Sequence, residues 1–362
     1  MKDRVESVDV FRGLTIAVMI LVNTPGDWGA VYAPLLHAEW HGYTPTDLVF
    51  PFFLYIVGIS IAFVYSVKKI SPTAYLKIVT RSLKLLGLGL FLNLFLPYFP
   101  FIKELSTVRL PGILQRIGVV FFFTAILSMH CAWKQLLGIA ITILVGYWVL
   151  LDFIALPDGT SPTLDRAPNN WANYVDMLVL KSHTWKPDYD PEGVLSTIPA
   201  IATALIGVLI GKVILYQHYM KAVLLCCLGL AMIAIGYIWN NWFPFNKALW
   251  SSSFVLVTAG WASLVLGVLY YAIDVKKKRL GTSFKYVGSN AIVIYVASSF
   301  ISKTFYLLSI GDMSIHGWLY STLFTPVIAV PKLASLMYAV VVVLCYMLLG
   351  YVLYRKKIFI KV

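Results

Sequence analysis

The chain has 362 residues, 60% of them hydrophobic and only 12% charged. A water-soluble domain has too little interior to hide so much apolar surface, so the composition points to lipid. The formal net charge of +13 would suit a nucleic-acid partner, but Lys and Arg fall in short clusters between apolar runs, as topology determinants do.

The amino terminus opens with Lys2 and Arg4 and continues into an apolar run from Leu14 to Val22, the outline of a signal peptide. Asp9 and Arg12 interrupt its entrance, and Pro25-Gly26-Asp27 stands where small residues would be needed for cleavage, so an uncleaved first span is expected. With about 20 mostly apolar residues per crossing, spans are expected at 9–23, 47–67, 76–97, 110–130, 134–152, 193–213, 221–239, 249–273, 285–308 and 333–354. Segment 317–331 is apolar but broken by Pro326 and Pro331, and reads as re-entrant or interfacial; a crossing there would raise the count by one.

Basic residues give these spans a direction. Lys68, Lys69, Lys77, Arg81 and Lys84 fall on one side with Lys134, Lys212, Lys221, Lys276, Lys277, Lys278, Arg279, Lys285, Arg355, Lys356, Lys357 and Lys361. The alternate loops are sparse in cations, and 24–46 has none. The expected fold is all-α: a polytopic integral membrane protein of about ten spans, both termini cytoplasmic, forming one transmembrane domain over 1–362. A bacterial chain of this kind would sit in the inner (cytoplasmic) membrane. Neither a soluble domain nor an internal repeat is evident.

Two outer loops, 24–46 and 153–192, are too long to be mere turns and are rich in Trp, Tyr, Pro, Asp and His. An interfacial aromatic belt would explain the rings, but not the gathering of Asp27, His37, Glu39, His41 and Asp47 in one loop. Thr46 or Asp47 is a natural N-cap for the second span. Carboxylates near His37 suit an imidazole that is oriented and tuned for proton transfer. His37, Glu39 and His41 are spaced by two, which matches no helical zinc motif, and no cysteine joins them, so no metal is expected. Cys131, Cys226, Cys227 and Cys345 lie in or beside apolar runs without a CxxC spacing. A P-loop and a GxSxG elbow are both missing.

Polar groups at membrane depth cost a few kcal/mol, roughly 2.5–3.5 near the centre, and should face a cavity or a partner. Arg12, Asn23, Asp47, Asn93, Arg116 and Asn290 are the cases here. Helix caps and interhelical hydrogen bonds are the plain explanations, most of all for Asn93; Arg116, several residues inside an apolar helix beside Gln115, stands evenly between packing and function.

The segment Ser7-Val8-Asp9-Val10-Phe11-Arg12-Gly13, with the loop His37-Ala38-Glu39-Trp40, resembles the catalytic domain of the heparan-α-glucosaminide N-acetyltransferase family. The resemblance continues in Arg109-Leu110-Pro111-Gly112-Ile113-Leu114-Gln115-Arg116-Ile117-Gly118, Asp190-Pro191-Glu192-Gly193, Pro244-Phe245-Asn246-Lys247-Ala248-Leu249-Trp250-Ser251 and Gly288-Ser289-Asn290, in family order from residue 7 to about 295. It implies transfer of acetyl from cytosolic acetyl-CoA, across the membrane, to the amino group of a glucosamine-type sugar. By the same resemblance His37 is catalytic, Asn23 is its helper, and a homodimer is a candidate assembly. Thr24-Pro25-Gly26-Asp27 and His41 depart from the family pattern, which bears on the acceptor more than on the chemistry.

Acyl transfer to an amine needs proton removal, alignment with the thioester and oxyanion stabilisation. His37 would serve as general base or as an acetylated relay, which sequence leaves open. Asn23 would donate to the oxyanion, worth about 3 kcal/mol in comparable sites; Asp47 or Glu39 would orient the imidazole. Glu39, Trp40 and Glu192 are the expected acceptor contacts; Arg12, Arg81, Lys84 and Arg116 are the expected cations for the CoA phosphates. Two other readings stay open: an O-acetyltransferase acting on an envelope glycan, and a sugar transporter without chemistry. The scarcity of mid-span carboxylates counts against the transporter.

Overall fold

The computed structural model describes residues 5–65, 71–216 and 220–360. Lys2 and Arg4 of the signal-peptide outline, and Lys68, Lys69 and Lys361 used above for orientation, lie outside the described residues, as does the end of the expected span 47–67.

Helices dominate the described residues. They are α1 (Glu6–Asn23), α2 (Pro45–Tyr65), α3 (Pro72–Leu94), α4 (Ile113–His130), α5 (Trp133–Phe153), α6 (Trp171–Leu180) and α7 (Thr197–Tyr216). There follow α8 (Lys221–Trp239), α9 (Ser252–Leu269, prolonged by a π-helical turn Tyr270–Val275), α10 (Thr282–Gly288) and α11 (Ala291–Leu307). A small hairpin of β1 (Ser309–Ile310) and β2 (Met313–Ser314) precedes α12 (Ile315–Leu323) and α13 (Pro331–Arg355).

Among the described residues, 7 helices suffice by length and composition to cross a membrane: α2, α4, α5, α7, α8, the α9 unit and α13. The expected span 285–308 is not one straight rod, because α10 and α11 meet at 80°. The bend falls at Ser289–Asn290, where the Asn290 amide donates to the Ile358 carbonyl (3.0 Å) and accepts the Ile360 N–H (3.0 Å). Asn290 thus answers to the carboxy-terminal tail, a partner invisible to any local reading. Helices α1 and α3 are long enough, at 18 and 23 residues, but carry Glu6, Asp9 and Arg12, and Lys77, Arg81 and Lys84, respectively. Segment 317–331 begins within α12, whose 9 residues are too few to cross.

Apolar helices gain little from shedding lipid against one another, so tight association relies on small residues at the crossings. The α2–α7 crossing is an instance: a Cβ on Gly58 would lie 2.0 Å from the Ala204 carbonyl oxygen. The α1–α10 crossing is tighter still, since a Cβ on Gly13 would lie 1.8 Å from the Phe284 carbonyl oxygen. The start of α1 is also tied to the π-helical turn that prolongs α9, where the Asp274 carboxylate accepts the Glu6 and Ser7 N–H groups at 3.0 and 3.1 Å. Asn93 has the plain role expected of it, donating to the carbonyls of Arg109 (2.7 Å) and Pro111 (3.0 Å) and so tying α3 to the entrance of α4.

Two long connections frame the site. The 153–192 loop carries a helix of its own, α6, started by Asn170, whose side chain accepts the Ala172 N–H at 2.9 Å. The 24–46 loop is stitched to the start of α2: Thr44 Oγ1 donates to the Leu36 carbonyl (2.6 Å) and Thr46 Oγ1 to the Pro34 carbonyl (3.2 Å).

Candidate active site

Helix α2 starts at Pro45, whose fixed φ and missing N–H suit a first helical turn. Neither Thr46 nor Asp47 is its cap, contrary to the sequence reading. Asp47 lies one step further in and reaches back, Oδ2 accepting the Thr44 N–H at 3.0 Å, as the third residue of a capping box does. The same oxygen accepts the Ala38 N–H (3.0 Å) and lies 3.2 Å from the Thr44 hydroxyl oxygen, so the carboxylate closes the 37–47 loop on itself.

The other oxygen, Oδ1, lies 2.6 Å from His37 Nδ1. Asp47 is 1% exposed, and an ionised carboxylate only accepts, so Nδ1 carries a hydrogen and, in the neutral imidazole, the lone pair falls on Nε2. The His37 side chain is 50% exposed and turns into a cavity of about 400 Å³. This cavity collects the expected residues from distant places in the chain: Asn23 from the end of α1, His37, Glu39 and Trp40 from the loop, Asp47 from α2 and Glu192 from the turn before α7. Asn23 and Glu39 are exposed within it.

Glu192 is held by a residue that the sequence reading quoted but did not single out. Arg109 donates to both oxygens of Asp190, from Nε at 2.7 Å and Nη2 at 2.5 Å, and pairs with Glu192 as well. The bidentate fork fixes the Asp190-Pro191-Glu192 turn as a lysine would not. Burial pushes Glu192 upward, but Arg109, with Arg116 and Lys247 behind it, prevails and holds this carboxyl below its usual range. Asp176 of α6 braces the same turn, accepting the Val194 N–H at 2.8 Å. Burial, with Asp190 nearby, pushes Asp176 up to about 6. Gly193 is needed there, since a Cβ would lie 1.9 Å from Asp176 Oδ2.

Aromatic rings form the outer wall. Trp40 donates its indole N–H to the Leu164 carbonyl (3.0 Å) and meets Tyr189 edge to face with centroids 5.3 Å apart. Trp185 joins them as a lining residue, and such faces suit the C–H surface of a sugar ring. His41, beyond the wall, faces Asp165 at 3.0 Å and does not line the cavity.

The second unsought residue is Lys247. It lies in the 240–251 loop, held by the buried Asn246, whose Oδ1 accepts the Leu249 N–H at 2.9 Å. Its Nζ stands 3.1 Å from His37 Nδ1, 3.3 Å from Nε2 and 3.5 Å from Asp47 Oδ1. Burial draws the Lys247 ammonium below its usual range, against the pull of Asp47 and Glu192.

The four expected phosphate cations do not form one group. Arg12 donates to Ser60 Oγ (2.7 Å) and Asp9 (3.2 Å), with Arg81 near enough for the two charges to interact. Arg81 stacks over Phe121 at 4.6 Å and keeps a buried Nε without a hydrogen-bond partner. Lys84 is exposed on α3. Arg116 lies apart from them, on the Glu192 side: fully buried, it donates to the Gly193 carbonyl (3.2 Å) and Ser196 Oγ (2.5 Å), and it stacks over Trp250 at 5.0 Å. Among the described residues no group of three or more His, Cys, Asp or Glu side chains is arranged to hold a metal.

A smaller polar cavity of about 300 Å³ adjoins the site, sharing Met19 and Asn23 and lined on α11 by Tyr295, Ser298, Ser299, Ser302 and Tyr306. A larger cavity, about 790 Å³, opens between α5, α7 and α8, is almost wholly apolar and shares no residue with the His37 cavity.

A family model described as heparan-alpha-glucosaminide N-acetyltransferase, catalytic, matches residues 4–228. The chain is 32% identical over 430 aligned residues to the Homo sapiens heparan-alpha-glucosaminide N-acetyltransferase, covering 99% of this chain and 60% of that protein. To the Mus musculus enzyme of the same name it is 31% identical, covering 99% of this chain and 61% of that protein. The chain therefore spans about three fifths of the length of these relatives.

Proposed function

The chain belongs to the heparan-α-glucosaminide N-acetyltransferase family, and from that premise we propose that it is a transmembrane acetyltransferase with His37 as its base. The observation that carries the reading is the meeting of the His37–Asp47 pair, Asn23 and Glu192 around one cavity. A carboxylate that fixes the imidazole hydrogen on Nδ1 leaves Nε2 free to take a proton from an amine. Asn23, on the facing helix end, supplies N–H groups for the carbonyl oxygen. Glu192, with Glu39, Trp40, Trp185 and Tyr189 around it, forms a polar and aromatic cradle of the kind that holds an amino sugar.

Acetyl-CoA is the donor in this reading. Its phosphates need cations, and the Arg12–Arg81 pair offers them: two like charges placed together, one with a buried N–H that lacks a partner. Lys84 on the same helix would add a peripheral charge. Arg12, Met19 and Asn23 are spaced by seven and four and so share a face of α1. Eleven residues of helix separate Arg12 from Asn23 by about 16 Å, a length suited to a pantetheine arm. The Ser-lined cavity against α11 widens the upper end of that path. Arg116 is better suited to holding the Glu192 turn than to phosphate.

The membrane gives the arrangement its direction. Counting α1, α3 and the bent α10–α11 pair with the seven apolar helices yields ten crossings. The basic clusters then put both termini and Arg12 in the cytoplasm, and His37 on the far side. Purified, detergent-solubilised protein given acetyl-CoA and glucosamine should yield the N-acetyl product, and His37→Ala should abolish it. Near-wild-type turnover by that variant would refute the reading.

A further inference from the structure

Lys247 is the one cation within hydrogen-bond distance of the His37 ring among the described residues, and the acetyl-transfer reading above assigns it nothing. Its Nζ reaches both ring nitrogens, at 3.1 and 3.3 Å, and Asp47 Oδ1 at 3.5 Å, with its side chain 20% exposed. Nζ is nearer to either ring nitrogen than to the Asp47 carboxylate, and Asp47 already has three hydrogen-bond donors, His37 Nδ1 and the Ala38 and Thr44 N–H groups. Lys247 also lines the His37 cavity, whereas Arg109, the other cation there, is engaged with Asp190 and Glu192.

Resting on that reading of the site, we propose that Lys247 is a further catalytic residue: its ammonium carries the negative charge of the tetrahedral oxyanion. The ammonium lies over the imidazole, nearly equidistant from its two nitrogens, and leaves the Nε2 lone pair open in the ring plane. An acceptor amine at Nε2 offers its N–H to that lone pair, while a Lys247 hydrogen turns toward the adjoining carbonyl. The amine nitrogen then bonds to the thioester carbon, its proton passes to His37 Nε2, and the carbonyl π pair moves onto oxygen, where the Lys247 N–H and the Asn23 amide receive it. The pair returns to re-form the carbonyl, the C–S bond breaks, and the Nε2 proton leaves with the CoA thiolate as thiol. Amine and thioester thus become amide and thiol with no other reactant. A fixed cation is effective because its charge needs no reorganisation when the oxyanion forms.

The test compares Lys247→Met and Lys247→Arg with wild type and His37→Ala in acetyl transfer from acetyl-CoA to glucosamine, with thermal melts as the folding control. Lys247→Met should lose about 10²- to 10³-fold in kcat, as for loss of an oxyanion donor, with the donor KM within about threefold. Lys247→Arg should recover at least tenfold of that loss. The wild-type rate should fall at high pH as the ammonium loses its proton, and Lys247→Arg should lack that limb. The groups facing Lys247 are His37 from the loop, Asp47 from α2, Glu192 from the turn before α7 and Arg116 from α4. Only Lys247 among them changes charge on the alkaline side.

A folded Lys247→Met within fivefold of wild-type kcat overturns the proposal. If Lys247→Met fails to fold, an alkaline limb unchanged in Lys247→Arg overturns it instead. Loss of wild-type transfer, or turnover by His37→Ala, would overturn the acetyltransferase reading itself; Lys247→Met turnover beside an inactive His37→Ala removes Lys247 alone.

Discussion

Asp47→Asn isolates the tautomer argument with almost no change of shape. Oδ2 of Asp47 accepts two backbone hydrogens, from Ala38 N and Thr44 N at 3.0 Å, whereas Oδ1 accepts one, from His37 Nδ1 at 2.6 Å. The asparagine has one oxygen and one NH2 to place. Turning NH2 toward the loop would oppose two backbone N–H groups, each with a charge-assisted bond worth about 1.5–3 kcal/mol. Turning it toward His37 opposes one donor, and that donor can move. The NH2 therefore faces the imidazole, whose hydrogen shifts to Nε2, leaving no lone pair for the amine. A wrong tautomer costs about 10⁴-fold in kcat in a comparable imidazole–carboxylate pair. A loss of about 10³- to 10⁴-fold is expected here, equivalent to roughly 4–5.5 kcal/mol. Initial rates of acetyl transfer by purified variant and wild type, at saturating donor and acceptor, measure it. A kcat within tenfold of wild type would show that Asp47 does not set the tautomer on which the mechanism depends.

Further outcomes follow from the bracing of Glu192 and from the orientation. Arg109→Lys keeps the charge but loses the fork on Asp190, so the acceptor kcat/KM should fall at least tenfold with the donor KM unchanged, read from two-substrate kinetics. Gly193→Ala places a Cβ 1.9 Å from Asp176 Oδ2, and overpacking of this kind costs about 1–3 kcal/mol, visible as a lower melting temperature. Burial pushes the Asp176 carboxyl up to about 6 in the folded protein, above the usual carboxylate range. The folded state therefore holds its proton more tightly, and the resulting stability, complete below about pH 4, is lost as pH rises through 6, by roughly 2–3 kcal/mol. Melts of Asp176→Asn against wild type between pH 4 and 7 should show the difference closing toward the acid end; a constant difference would contradict it. In a cysteine-free background, a membrane-impermeant maleimide applied to intact cells should label Ser161→Cys but not Lys277→Cys, and the reverse pattern would invert the orientation.

What the sequence conveyed follows from the range over which each signal acts. Continuous apolarity is local, so all seven strongly apolar helices fall where spans are expected. The bend at Asn290 is not local: hydropathy runs through it unbroken, and its cause lies at Ile358 and Ile360. The candidate site was legible where chemistry is dense in sequence, as in the His37–Asp47 loop, and where a resemblance supplied Asn23 and Glu192. Arg109 and Lys247 stood in quoted blocks but were not distinguished as charges. A physical signal was available: both are cations in loops on the side where the charge rule leaves few, and a residue that resists that bias asks for a partner. Arg116 was read toward phosphate because its depth in α4 was visible while its contacts at Gly193 and Ser196 were not.

The loop that carries His37 is moored to the other end of the chain. Gly26 N donates to the Ser335 carbonyl (3.2 Å) and Asp27 N to the Ser335 hydroxyl (3.0 Å), while His316 Nε2 meets the Gly26 carbonyl at 3.0 Å. Ribosomal synthesis therefore delivers the imidazole early and its moorings last, with Lys247 in between. A nascent polypeptide already displaying Asn23 and His37 would have the loop's bonds to the start of α2 but would lack those at Gly26 and Asp27 until α12 and α13 had been made.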